Sequence, residues 1–150
     1  MATSFSAGLR NGMLATDSFV GTLANPVMRI YSGDVPADAG AGIGSATLLV
    51  TITNDDQGAG YPLAFDATAT NGVLPKDPAQ TWSGTAAASG TASFFRIVSE
   101  SDADDADASA PRIQGQVGTA GSDLNLSTVA VAAGEARTVN SFNVVLPTLV

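Results

Sequence analysis

Between Glu100 and Asp107 the chain reads Glu-Ser-Asp-Ala-Asp-Asp-Ala-Asp. Carboxylates two residues apart can converge on a Ca²⁺ ion, so Asp102, Asp104, Asp105 and Asp107 are the residues whose spacing could hold a metal. The pattern then departs from a Ca²⁺ loop. Ala106 stands where a third ligand is required, no glycine follows for the sharp turn, and no glutamate sits at the closing position. The run is therefore expected to be a solvated hairpin loop of mutually repelling charges, with no resident metal or other cofactor.

Other reactive chemistry is scarcer still. The chain has no histidine, no cysteine and one lysine, Lys76, so most groups used for general acid–base, nucleophilic and transition-metal chemistry are missing. Two carboxylates of glycosidase type could come from any of the 14 acids, which makes their presence undiagnostic. Trp82, Tyr31 and Tyr61 are the aromatic residues with a polar handle, and such residues more often anchor a core edge or an interface than a sugar subsite. A carbohydrate-binding module built on Trp82 is kept as a further alternative. Glycines 40, 42 and 44 imitate a phosphate loop, yet no Walker lysine follows and the segment leads into a strand. The expectation is a protein that is not an enzyme.

Charge excludes further classes. The net charge is −8, but five of the 14 acids lie in 100–107, leaving nine acids against six scattered bases. Nucleic-acid binding needs clustered Lys and Arg, and none is present, so no nucleic-acid partner is expected. Nor is a membrane, because no apolar run approaches the ~20 residues of a spanning helix. The N-terminus lacks the basic start and apolar core of a secretory signal, which points to synthesis in a cytoplasm.

The elements that position these residues follow from periodicity. Leu9, Met13, Val20 and Leu23 fall near a helical spacing and predict one short amphipathic helix over 9–23, with Thr16, Asp17 and Ser18 as a possible break. Residues 1–8 are small and polar and are expected to form a flexible arm that adds to a neighbour's sheet, with Phe5 filling a pocket. From Pro26 the period becomes two. Strands are expected at 27–32, 45–53, 63–74, 93–99, 112–117, 124–126, 129–131 and 138–146, separated by Gly, Asp and Pro turns. Residues 9–150 thus read as one all-β domain, an antiparallel β-sandwich (jelly-roll or immunoglobulin-like) of about seven or eight short strands with one N-terminal helix.

Five stretches in order carry a resemblance: LRNGML at 9–14, RIYSGDVP at 29–36, FFRIV at 94–98, QGQVGTAGSDLNL at 114–126 and VNSFNVVLP at 139–147. Together they resemble small β-rich virion structural proteins of tailed bacteriophages and prophages. Residues 99–111 depart from that pattern, where an acidic insertion replaces a short turn. The resemblance implies a particle component without catalytic residues, found on the virion surface after assembly in the host cytoplasm. A capsid decoration (cement) protein that binds the outer shell of the head and stabilises it is the expected role, and a tail, baseplate or fibre-base accessory protein is the alternative. The expected partners are the major capsid protein or other virion proteins, met as a homo-oligomer such as a trimer, with Phe5, Leu9 and Arg10 as candidate contact residues.

Overall fold

A computed structural model describes residues 3–146. Among the described residues the order is β1 (Ser4–Phe5), α1 (Ala7–Ala15), α2 (Phe19–Thr22), β2 (Pro26–Ser32), β3 (Thr47–Asn54) and β4 (Val73–Pro75). There follow β5 (Trp82–Thr85), β6 (Gly90–Ser99), β7 (Arg112–Gly118), β8 (Leu124–Asn125), β9 (Ala130–Val131), β10 (Ala136–Val139) and β11 (Asn143–Val145). The fold is mostly β. A nine-stranded sheet runs β1-β7-β6-β2-β3-β5-β10, with β8 added to β7 and β9 to β6, while β4 and β11 form a separate pair. The sheet does not close into a barrel, and its pairings are antiparallel except β7 with β8.

The centre of the sheet shows why these residues choose these strands. Across β2 and β6, Met28 faces Ile97 and Ile30 faces Phe95, and these side chains enter the main apolar core with Ile113, Val50 and Ile52. The intervening residues Arg29, Tyr31, Phe94, Arg96, Arg112 and Gln114 occupy the other parity. Of these only Arg29 is not fully buried. Alternation thus survives, but the second face is covered and carries charge instead of meeting water. Leu49 is fully buried although simple alternation would place it with the polar residues of β3. The pairing of β2 with β3 steps from Ile30–Val50 to Tyr31–Leu48, and this bulge turns Leu49 inward and leaves Leu48 exposed.

The predicted single helix is two. Ser6 caps α1 by accepting from Leu9 N at 3.2 Å, and Ser18 caps α2 by accepting from Gly21 N at 3.1 Å. A serine that satisfies an orphan N–H at the start of a helix is a strong initiation signal, so Ser18 restarts the chain at the break that Thr16, Asp17 and Ser18 had offered. Residues 4–8, expected as a free arm, lie within the fold: Ser4 and Phe5 pair with Gln114 and Ile113 of β7. Gly8 donates to Ala108 O at 2.7 Å, and a Cβ there would sit 2.0 Å from Ser109 O. Only glycine permits that approach.

The strand count also exceeds the expected seven or eight, because the eleven among the described residues include several of only two or three residues. The long strand expected at 63–74 is mostly irregular, held by isolated bridges Phe65–Lys76 and Thr70–Val73. The one expected at 138–146 is split between β10 and β11. Trp82–Thr85, where no strand was expected, is the strand joining β3 to β10.

Candidate functional site

The acidic run is the first place to look for chemistry. Arg29 on β2 lies opposite Arg96 on β6, which lies opposite Gln114 on β7, and Arg112 lies two residues before Gln114, on the same face of β7. Three neighbouring strands thereby aim guanidinium groups at the loop that follows β6. Arg112 holds Asp102 bidentately, its Nε and Nη2 each 2.8 Å from a carboxylate oxygen. Arg29 donates to Asp104 Oδ2 at 2.6 Å and to the carbonyls of Asp102 and Glu100 at 2.7 and 3.0 Å. The Tyr31 hydroxyl donates to the same Asp104 oxygen, and its ring stacks on Phe94 at 4.9 Å. Arg96, fully buried, donates to Gln114 Oε1 at 2.9 Å and Ala41 O at 2.6 Å, and its Nη1 lies 3.7 Å from Asp104 Oδ1.

This geometry corrects the expectation of a solvated, repelling hairpin. Asp104 is 7% exposed and Asp102 is pinned beside it, while Asp105 and Asp107 remain on the outside. Repulsion between carboxylates is outweighed because arginines from the sheet reach the loop, and bidentate, charge-assisted pairs are the strong ones. The ionisation of the groups agrees. Burial acts to raise the Asp102 carboxyl, yet the hydrogen bonds from Arg112 and the Asp104 backbone hold it below the ordinary aspartate value. Burial, reinforced by Arg112, lowers the Arg96 guanidinium from its ordinary value. Burial and the bond to Asp104 push the Tyr31 phenol far upward, so it stays a donor.

The carboxylates whose spacing could hold Ca²⁺ are therefore not convergent. Asp102 gives both oxygens to Arg112, and Asp104 gives Oδ2 to Arg29 and Tyr31. Asp107 turns back on its own segment, accepting from Ser109 N and Oγ at 2.9 and 2.6 Å. The arrangement braces two loops, 34–46 and 99–111, onto the sheet. Its signal in the sequence was three arginines embedded in strong strands, whose buried charges demand acids and find them in the one acidic run.

The other residues singled out by type or spacing are placed as follows. Leu9 is fully buried, and Phe5 packs its ring 6.4 Å from that of Phe19 at the core margin, so both serve the fold. Arg10 is exposed. Trp82 is fully buried, edge-on to Phe65 at 5.5 Å with its Nε1 donating to Gln80 Oε1, and so is no platform for a sugar. Lys76 donates to Gln80 O at 2.7 Å and lies 5.7 Å over the Trp82 ring.

A different surface is left uncommitted. Met13, Phe19, Leu74, Val144 and Leu146 line a small cleft of about 120 Å³ between the helices and the β4–β11 pair. Leu14 is 85% exposed, Val20 52% and Leu146 50%. Alternation along β11 buries Val144 and releases Val145, and Leu146, just past the strand's end, is also half exposed. Large apolar groups scattered singly need no explanation, but Leu14 and Val20 lie on the two helices that give Met13 and Phe19 to the cleft, and exposed apolar side chains beside an apolar cleft suit a contact surface.

Comparison with known proteins returned no matching family model, no matching curated protein and no matching solved structure.

Proposed function

We propose that this chain is a non-enzymatic structural protein of a phage virion, a capsid decoration protein that binds the outer shell of the head as a homo-oligomer and stabilises it. The fold is read as an antiparallel β-sandwich of jelly-roll or immunoglobulin type, in which the Met28–Ile30 and Phe95–Ile97 face supplies the core between sheets. Support comes from the resemblance of five ordered stretches to virion proteins and from the distribution of chemistry. The observation that carries the reading is the contrast between two regions. The acidic segment spends Asp102 and Asp104 on internal bracing, whereas Leu146 stands exposed at an apolar cleft and Leu14 and Val20 stand exposed on α1 and α2, next in sequence to its lining residues Met13 and Phe19.

A decoration protein needs little more than such a surface. Each contact can be weak, because symmetric repetition over the shell multiplies it. The test is co-sedimentation of the purified chain with heads that lack it. Wild type is expected to pellet with the heads, and a variant carrying Leu14→Asp and Val20→Asp is expected to stay in solution while keeping its melting temperature. Equal pelleting of the two would remove the apolar surface from the account, and failure of the wild type to bind would remove the decoration role.

A further inference from the structure

A second concavity has the opposite character. It encloses about 340 Å³ where the segment after β7 meets the β10–β11 connection, with Asn125, Thr138, Asn140 and Asn143 on its walls. Leu126 and Phe142 also line it but are 7% and 5% exposed, so they offer little apolar floor. The side chains of Thr138, Asn140 and Asn143 are exposed and make no hydrogen bond to another described residue. Among the described residues Asn125 uses only Oδ1, which accepts from Ser122 N at 3.1 Å, and its amide N–H groups have no partner there.

The lining selects a ligand class by elimination. No lysine or arginine lines the cleft, so phosphates, sulfates and acidic sugars lack a counter-charge. The one carboxylate, Asp123, is already occupied by Thr3 Oγ1 at 3.1 Å and Gln116 N at 2.9 Å. An apolar ligand would strand the wall amides without partners, which is costly. Side-chain amides and hydroxyls both donate and accept, and that pairing of roles matches the vicinal hydroxyls of a sugar. The volume lies within the range of small-ligand clefts, about 300–1,000 Å³.

We infer that this cleft binds a neutral oligosaccharide through Asn125, Thr138, Asn140 and Asn143. The site is separate from the Trp82 platform considered from the sequence, and it stands whether or not the protein decorates a head. Without an exposed aromatic ring the single-site affinity is low, and repeated copies on one scaffold would raise it. The experiment is saturation-transfer NMR on the full chain with a panel of neutral and uronic-acid-containing oligosaccharides. Neutral members are expected to bind with a millimolar Kd, and the double variant Asn140→Ala, Asn143→Ala is expected to weaken binding at least tenfold with an unchanged melting temperature. Absence of transfer to every neutral glycan at about 10 mM, undiminished binding by the double variant, or a preference for the acidic members would each overturn the inference.

Discussion

Asp102 and Arg112 form a pair whose carboxylate and guanidinium are 5% and 2% exposed, and removing either partner leaves the other charge buried alone. Such truncations typically cost about 3–5 kcal/mol, so Asp102→Ala is expected to lower stability by about that amount in urea unfolding. Tyr31→Phe removes one donor from Asp104 but keeps the stack on Phe94, and a loss of about 1–2 kcal/mol is expected. The pH dependence has a fixed sign. Because the folded state holds the Asp102 carboxyl below its ordinary value, its contribution is complete above the unfolded pKa of about 3.9 and is lost as pH falls through the lower folded value. The melting temperature should therefore fall on acidification below about pH 4, and Asp102→Asn should flatten that fall. At this scale the acids and arginines were visible one by one in the sequence, but their pairing was not, since 10 residues separate Asp102 from Arg112 and 75 separate Arg29 from Asp104.

Among the elements, those with strong alternation were legible. The strands β2, β3, β6 and β7 fall within a few residues of where period-two patterning put them, because each is long enough for the pattern to repeat. Two-residue strands such as β1 and β8 contain no period, and β5 hides a buried Trp82 beside two small residues. The N-terminal segment shows what composition misses. Residues 3–8 look like a polar tail, yet Ser6 accepts from both Leu9 N and Arg112 N and donates to Ala110 O at 2.6 Å. Ser6→Ala is accordingly expected to cost about 1–2 kcal/mol, measured by thermal or urea unfolding. Gly8→Ala should also destabilise, because its Cβ would overlap the Ser109 backbone and force α1 away from the loop. Both changes would loosen α1, and with it Met13 at the edge of the apolar cleft.

The whole molecule places its charge and its apolar surface in different regions. Arginines on one face of the sheet neutralise the loop that the sequence had suggested would be most solvated, and what is left for a partner is the apolar cleft with Leu146 and the exposed Leu14 and Val20 of the helices that line it. The β-rich, antiparallel class was legible because strand patterning and turn residues agree along most of the chain. The contact surface was not, since exposure of Leu14 and Leu146 depends on where α1 ends and how β11 registers on β4. The central claim is that this protein works through repeated surface contact on a virion. Counting its copies in purified particles by quantitative mass spectrometry tests that most directly: on the order of hundreds per head are expected for a decoration protein, set by the symmetry of the shell. A dozen or fewer, or none, would contradict it.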